Sequence, residues 1–372
     1  MFSWRALRFD WHLLVAVLLL TAIGLLMIYS ATKTQLTMAG QEPTRKLVLQ
    51  ATWVALSLII ALLVATFDFS RLQSLTWPIY ISTLFLLGLV LVTGGLVRET
   101  QRWISLGPIT IQPAELAKVG VILAMASFFA AHQGERAEFD QPARALGYAL
   151  VPAALILAQP DLGTPILLLF VWGIVSYVYG ARLQHLAAFI FAFVMVFTAA
   201  WGFGLIKPHQ KQRLTTYIDR SADSSKEGYH LRQSLIAIGS GHVTGQGLFR
   251  GPQTQLSFVP DQETDFIFTA VGEELGFVGS VTVILLFGVV LWRGLTICAQ
   301  ARTPFGQLVA AGIVAMIFLH VMANIGMTLG MTPVKGLPLP FVSYGGSSLL
   351  TNYVALGLLQ SIWADRQTIR FD

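Results

Sequence analysis

The sequence predicts an all-α, polytopic integral membrane protein with about ten transmembrane helices. Of its 372 residues, 55% are hydrophobic and only 12% are charged, whereas a soluble domain carries about 25% charged residues. Apolar runs of membrane-spanning length recur from end to end and are separated mostly by short polar loops. Because a helix satisfies its own backbone hydrogen bonds in lipid, we expect these runs to be helical.

The candidate spans follow one another along the whole chain, each near the length needed to cross about 30 Å of hydrocarbon. The first follows Arg5 and Arg8 and is long enough to span, so we interpret it as an uncleaved helix rather than a signal peptide. The fifth and sixth are short and flank a turn, so a re-entrant hairpin is an alternative there. The spans are residues 11–31, 48–67, 77–96, 114–131, 145–159, 164–180, 184–204, 266–292, 305–331 and 348–364.

Charge in the short loops indicates the orientation. With a cytoplasmic N-terminus, ten arginines fall on the inside and six lysines and arginines on the outside, which favours cytoplasmic N- and C-termini. The net charge of +5 then reflects the lysines and arginines that set the topology. The sequence has no basic cluster interleaved with aromatic residues, so it does not indicate nucleic-acid binding. Residues 205–265 become a large extracytoplasmic loop within a single transmembrane domain, 1–372. Its stretch Tyr229–Ile238 predicts an amphipathic helix on the membrane surface.

Polar residues within the spans are candidate functional residues, because charges in a membrane are costly. Glu115 and Lys118 share a helix face and can pair, either to lock neighbouring helices or to serve a site. Asp161 either caps the following helix or takes part in catalysis. His320 and Asn324, four residues apart, are expected to make inter-helix hydrogen bonds, with a role in the site as the alternative.

The segment before the last span is a candidate phosphate site. Residues 337–348 read LPLPFVSYGGSS. The prolines force an extended approach, the glycines permit a close turn, and N–H groups at the start of the next helix can bind an anion. The candidate residues are Ser343, Gly345, Gly346 and Ser347, with Lys335 nearby.

Five acidic residues lie between 257 and 279, and they differ in position. Asp265 lies at the junction between the polar loop and the eighth span, whereas Asp261 and Glu263 are expected to be solvated. Glu273 points about 80° away from Asp265 and lies about 12 Å deeper along the helix, so it is expected to pair inside the bundle. Gly272 and Gly276 have the spacing of close helix contacts. Asp265 is therefore the candidate catalytic residue.

Six strings stand out along the chain: RWI at 102–104, QPAELAK at 112–118, QPDLGT at 159–164, TDFIF at 264–268, GEELG at 272–276 and PFVSYGGSS at 340–348. Together they resemble the SEDS family (shape, elongation, division, sporulation). The chain is most similar to the elongation branch, because of residues 237–241, 253–260 and 338–341 and its short tails, with the division branch as the alternative. The sequence departs from the expected pattern at 242–244 and 261–263, and these departures bear only on the choice between the two branches.

The resemblance implies a peptidoglycan glycosyltransferase that polymerises lipid II at the outer face of the bacterial inner membrane during cell elongation. It also implies a class B penicillin-binding protein (a transpeptidase) as partner, within the elongation machinery and surrounded by membrane lipid. The reaction needs a base for the attacking sugar hydroxyl and positive charge or a metal for the departing pyrophosphate.

Asp265 is the best base in the sequence, and Glu115 would orient Lys118. A divalent cation such as Mg²⁺, held by Asp265 or Asp161, is plausible, but two scattered acids do not establish a metal site. The candidates for binding the pyrophosphate are Lys118, Arg102, Arg213 and Lys335.

A lipid II flippase is the main alternative, because polar residues inside a bundle also suit a transport cavity. A flippase requires charges spread through the depth of the bundle, whereas a polymerase requires its key acid at the outer surface, where Asp265 falls. A non-catalytic scaffold for the penicillin-binding protein is a second alternative, and the intramembrane charges of Glu115, Lys118 and Glu273 argue against it.

Overall fold

The computed structural model describes residues 9–93, 102–106, 109–134, 139–159, 161–202, 226–332 and 336–366. The predicted all-α polytopic class is confirmed, since helices make up almost all of the regular structure in these ranges. The helices are α1 (Trp11–Met38), α2 (Arg45–Thr66), α3 (Phe69–Thr93), α4 (Pro113–Ala131), α5 (Asp140–Ala158), α6 (Gly163–Tyr179), α7 (Leu183–Gly202), α8 (Lys226–Ser240), α9 (Pro252–Gln255), α10 (Ile267–Ala299), α11 (Pro304–Thr328) and α12 (Gly346–Asp365).

A helix lies over each of the ten predicted spans. Within the described ranges, seven helices are long and apolar enough to cross a membrane, while α6 and residues Leu183–Met195 of α7 are shorter apolar helices. The fifth predicted span, thought to be short, begins at Asp140 and reaches 19 residues. The chain is a multi-pass membrane protein, and ten crossings stays a prediction.

A large continuous hydrophobic core extends from Leu13 of α1 to Ile362 of α12, and Ala237 of α8 belongs to a second, small cluster with Val259 and Phe266. Among the seven helices long and apolar enough to cross a membrane, α4 and α11 are the most enclosed, with 72% and 78% of their apolar windows buried, against 17% for α2. These two helices therefore form the centre of the bundle, and they carry the candidate residues Lys118 and His320.

The start of α1 and the end of α12 lie at the same end of the bundle. The Asp10 N–H donates to Gln360 Oε1 at 2.8 Å, and Gln360 Nε2 donates to Asp10 O at 3.0 Å. The Asp10 carboxylate also accepts from Arg293 Nε at 2.8 Å and Nη2 at 2.6 Å. Because Arg293 is near the end of α10 and Asp265 precedes its start, Asp265 lies at the opposite end.

A two-stranded hairpin, which the sequence did not predict, precedes α4. Strands β1 (Ile104–Leu106) and β2 (Ile109–Ile111) are antiparallel, with Ile104 opposite Ile111. Strands of three residues are too short to show a period-2 pattern. Ser347 Oγ donates to Thr110 O at 3.2 Å and accepts from Gln112 N at 3.0 Å, so the hairpin is attached to the start of α12.

The amphipathic helix predicted at 229–238 is confirmed as α8. It packs against α10, where a Cβ on Gly272 would lie 3.0 Å from the Ile238 side chain. It also packs against α11, where Ser234 Oγ donates to Thr328 O at 2.7 Å. Its position on a membrane surface stays a prediction.

Helix α10 is broken at Gly276, where the sequence predicted an unbroken span. Gly276 has φ 66° and ψ −159°, a conformation essentially restricted to glycine. In a continuous helix the N–H groups of Phe277 and Val278 would donate to the carbonyls of Glu273 and Glu274. The break separates these two pairs and leaves four backbone groups to be satisfied elsewhere.

The segment 242–247 satisfies all four groups. Its residues accept from the two N–H groups and donate to the two carbonyls, as a broken helix at membrane depth requires. Gly276 is therefore a point of backbone contact with this segment, which corrects its predicted role as a small residue between helices. The bonds are Phe277 N to His242 O (2.9 Å), Val278 N to Val243 O (3.1 Å), Gln246 N to Glu273 O (2.9 Å) and Gly247 N to Glu274 O (3.2 Å).

Candidate functional site

Asp265 lies immediately before α10, where the loop that follows α9 meets the bundle. Its backbone N–H donates to Asp261 O at 3.1 Å, and its side chain is half-buried. Oδ2 of its carboxylate is 3.3 Å from the point where a Cβ on Gly336 would stand. A glycine at position 336 therefore leaves room for this carboxylate.

Asn324 joins Asp265 to the segment 336–345. This fully buried residue of α11 donates from Nδ2 to Asp265 O at 2.8 Å and to Leu337 O at 2.9 Å. Both partners are carbonyls, which only accept, so they fix the orientation of the amide. Asn324 is buried and hydrogen-bonded as predicted, but its partners are carbonyls of non-helical residues and not of another helix.

His320, one turn before Asn324, links the same segment to α4. Its Nδ1 is 3.0 Å from Pro338 O, and its Nε2 is 3.0 Å from Lys118 Nζ. The carbonyl only accepts and the ammonium only donates, so the ring is neutral and carries its proton on Nδ1. The hydrogen bonding predicted for His320 is also confirmed.

Lys118 and Glu115 form the predicted ion pair. Lys118 Nζ donates to Glu115 Oε2 at 2.7 Å, and the two residues are only 1% and 4% exposed. An unpaired buried charge would cost several kcal/mol, which explains why the ammonium is found between a carboxylate and an imidazole acceptor. The pair connects α4 to α11 through His320.

Asp161 caps α6, as the capping interpretation predicts. Its Oδ1 accepts from Gly163 N at 2.9 Å, and its Oδ2 accepts from Thr164 Oγ1 at 2.9 Å. A Cβ on Gly163 would lie 3.1 Å from the Leu337 side chain. The capped turn is therefore packed against the segment that Asn324 and His320 hold.

Arg102 is attached to the same turn. Its Nε donates to Gln159 O at 2.8 Å, and Gln159 Nε2 donates to Leu87 O at 3.1 Å. Arg102 thus lies beside the turn between α5 and α6, and at least one of its N–H groups serves the fold.

The turn before α12 is bound into the bundle. The backbone N–H groups of Ser343, Tyr344 and Gly345 donate to Leu339 O, Glu263 O and Gln50 Oε1. These three N–H groups are therefore already bonded within the protein and are not the donors that the sequence predicted for an anion. The Ser343 hydroxyl accepts from Leu339 N at 2.8 Å, and the hydroxyl of Ser347 is engaged by the hairpin. A Cβ on Gly346 would lie 2.3 Å from the ring of Trp53.

Two residues that hold this turn were missed. Gln50 is a buried amide in α2, and a lone amide in an apolar span is a signal for inter-helix hydrogen bonding. Glu263 forms an ion pair with Lys46 and has a side chain only 17% exposed, which corrects the expectation of a solvated loop residue. Its partner lies 217 residues away, so local sequence gave no signal for the pair.

Glu273 pairs inside the bundle, as predicted, but with neutral donors. Its carboxylate accepts from Gln253 N at 2.7 Å, from Thr254 N at 2.9 Å and from Thr254 Oγ1 at 2.6 Å. The neighbouring Glu274 accepts from Phe249 N at 3.0 Å. Both carboxylates therefore bind the segment that follows α8.

Two predicted pyrophosphate ligands, Arg213 and Lys335, lie outside the described residues. Within the described ranges, no group of three or more His, Cys, Asp or Glu side chains could hold a metal ion. The carboxylates of Asp265 and Asp161 thus do not form part of such a group there, and the divalent cation stays a prediction.

Curated relatives match nearly the whole chain. The peptidoglycan glycosyltransferase MrdB of Escherichia coli is 35% identical over 98% of this chain and 96% of its own length. A probable peptidoglycan glycosyltransferase FtsW of Alkalilimnicola ehrlichii is 37% identical over 95% of this chain and 88% of its own length. Relatives named MrdB and FtsW are thus matched at similar identity.

Solved structures share the fold. A chain of a peptidoglycan synthase complex that coordinates polymerization and crosslinking is 32% identical, with a TM-score of 0.83 over 97% of this chain and 99% of that chain. The rod shape determining protein RodA of Thermus thermophilus is 31% identical, with a TM-score of 0.71 over 97% and 98% of the two chains. The family profile described as "cell cycle protein" matches residues 10–368. The chain belongs to the FtsW/RodA/SpoVE family.

Proposed function

We propose that this chain is a peptidoglycan glycosyltransferase that polymerises lipid II into glycan strands during cell elongation. The observation that carries the proposal is the near full-length match to curated peptidoglycan glycosyltransferases. The half-buried Asp265 carboxylate, at the end of the bundle opposite the Asp10–Gln360 contact, supports a site at that end.

Asp265 acts as the base that takes the proton from the attacking sugar hydroxyl. The hydroxyl oxygen bonds to the anomeric carbon of the second substrate, and the lipid pyrophosphate leaves. Arg102, Arg213 and Lys335 supply positive charge for that leaving group, and the turn at 343–347 forms a wall of the site. A divalent cation, if one takes part, would be held by Asp265 or Asp161 and would supply further positive charge for the leaving pyrophosphate.

The protein lies in the bacterial inner membrane with cytoplasmic N- and C-termini. The Asp10–Gln360 contact supports termini on the same side of the membrane, because it places the start of α1 and the end of α12 together. The loop charges favour the cytoplasmic side. Residues 205–265 form an extracytoplasmic loop of a single transmembrane domain. A class B penicillin-binding protein is the partner, as the likeness to a chain of a peptidoglycan synthase complex supports.

A polymerisation assay tests the proposal. Purified full-length protein, mixed with lipid II and its penicillin-binding protein, is expected to make glycan polymer. Asp265→Asn is expected to make none while keeping the wild-type melting temperature. Asp261→Asn is the matched control, because that exposed aspartate has a positive φ of 48°, which asparagine tolerates. It should polymerise normally.

Two other outcomes would replace the proposal. Lipid II crossing liposome membranes without polymer formation would indicate the flippase. Activity with a division-specific penicillin-binding protein, and none with an elongation-specific one, would place the chain with FtsW instead of RodA.

A further inference from the structure

Helix α11 directs two buried side chains at consecutive carbonyls. His320 Nδ1 lies 3.0 Å from Pro338 O, and Asn324 Nδ2 lies 2.9 Å from Leu337 O. Residues four apart share one helix face. One face of α11 therefore binds the carbonyls of both residues of the 337–338 peptide. Proline restricts φ and has no N–H, which leaves this segment little freedom once the carbonyls are bound.

The same Asn324 amide also holds Asp265. Its second N–H donates to Asp265 O at 2.8 Å, so one side chain sets the separation between the main chains of Asp265 and Leu337. Asp265 Oδ2 stands 3.3 Å from the Cβ position of Gly336, the residue before Leu337. A shift of this segment would change the space open to the carboxylate.

Lys118 reaches this arrangement through His320. Its Nζ is 2.7 Å from Glu115 Oε2 and 3.0 Å from His320 Nε2. With 1% exposure, the ammonium is enclosed by protein and bound to two side chains. Hydrogen bonds therefore connect this buried charge to Pro338 and, across the covalent link from Pro338 to Leu337, connect Leu337 to the main chain of Asp265 through Asn324.

We propose that His320 and Asn324 are positioning residues that hold the Asp265 carboxylate in place through the 337–338 peptide. The Glu115–Lys118 pair acts through His320, and Lys118 does not bind the pyrophosphate. This inference rests on the proposed function of Asp265 and replaces the earlier assignment of Lys118 to the leaving group.

Two substitutions separate the bonds of His320. His320→Gln keeps an acceptor near Nε2 for Lys118 but loses the donor to Pro338. His320→Asn keeps a donor near Nδ1 but loses the contact with Lys118. In the polymerisation assay with the full chain and its partner, His320→Gln and Asn324→Leu are expected to lower kcat about tenfold or more, because small displacements of a reacting group are costly. His320→Asn should lose less, and KM should not change.

Gln360→Leu is the matched control. Gln360 is a buried amide that also bonds to backbone groups, but it does so at the opposite end of the bundle. Its loss should lower the melting temperature and leave kcat per folded molecule unchanged. A purely structural role for Asn324 would give the same result as this control.

A double-mutant cycle tests the route from Lys118. Glu115→Gln and Lys118→Met are made together, so that neither charge is left buried alone. This change should lower kcat in the wild-type background and by no more than about twofold further in the His320→Gln background. If the fold-losses in kcat from the two changes multiply instead, the Glu115–Lys118 pair acts independently of His320. That result would overturn this part of the proposal.

The outcomes separate this inference from the proposed function. If Asp265→Asn is inactive while His320→Gln and Asn324→Leu keep the wild-type kcat, the positioning role is overturned and the function stands. If these two variants raise KM alone, they contact substrate, and the positioning role is again overturned. If Asp265→Asn polymerises normally, Asp265 is not the base and the positioning role is overturned with it. If the wild-type protein makes no polymer, the proposed function itself fails.

Discussion

Gly276 and Gly245 meet backbone to backbone at the break in α10. A Cβ on Gly276 would lie 2.3 Å from Gly245 N, and a Cβ on Gly245 would lie 2.1 Å from Glu274 O. Neither distance is compatible with a side chain. The broken helix and the segment 242–247 therefore depend on each other, and both glycines are required for their contact.

Gly276→Ala is expected to destabilise the protein. The backbone conformation alone would cost about 1–3 kcal/mol for a residue with a Cβ, and the contact with Gly245 adds to that. The check is the melting temperature in detergent. Gly288→Ala, on the same helix with open space around its Cβ position, is the control and should change the melting temperature little. Equal effects would contradict the structural account of the break.

Glu273→Gln should reduce stability but not catalysis. An amide in place of the carboxylate loses acceptor capacity toward Gln253 and Thr254, at a cost of about 1–3 kcal/mol. The melting temperature should fall while polymerisation per folded molecule is retained. The exposed Glu42 provides the control Glu42→Gln, with no expected change. Loss of activity at a normal melting temperature would instead assign Glu273 to the reaction.

Gly336→Ala should lower turnover without unfolding the protein. The added methyl would stand 3.3 Å from Asp265 Oδ2, so the carboxylate must shift by a few tenths of an ångström. We expect kcat to fall several-fold at an unchanged melting temperature, since reacting groups tolerate little displacement. Gly147→Ala, whose Cβ position is open, should behave as wild type. A normal kcat for Gly336→Ala would remove segment 336–338 from the site.

The Asp10–Arg293 pair should matter for stability alone. Its side chains are 0% and 13% exposed, and removing one partner of a buried pair costs about 3–5 kcal/mol. Asp10→Asn or Arg293→Met should each lower the melting temperature strongly. The double variant should lose less than the sum of both. Additive losses would show that the two charges do not interact.

Local sequence predicted the features that depend on neighbouring residues. Apolar run length located a helix at each predicted span, helical spacing paired Glu115 with Lys118, and the position of Asp161 before a helix identified a cap. Each of these depends on residues within a few positions or on one continuous run.

Features that depend on distant residues were not predictable in this way. Lys118 and His320 are 202 residues apart, and no periodicity relates them. The break at Gly276 is determined by the approach of segment 242–247. The local sequence around a glycine in an apolar run does not indicate whether such a segment contacts it. The hairpin at 104–111 was missed because its strands are too short to carry a pattern.

The contact between α1 and α12 has a consequence for biosynthesis. Asp10 precedes α1, yet its partners Arg293 and Gln360 follow it by 283 and 350 residues. These bonds of Asp10 can therefore form only after α10 and α12 have been synthesised, so closure of this end of the bundle is a late step of folding.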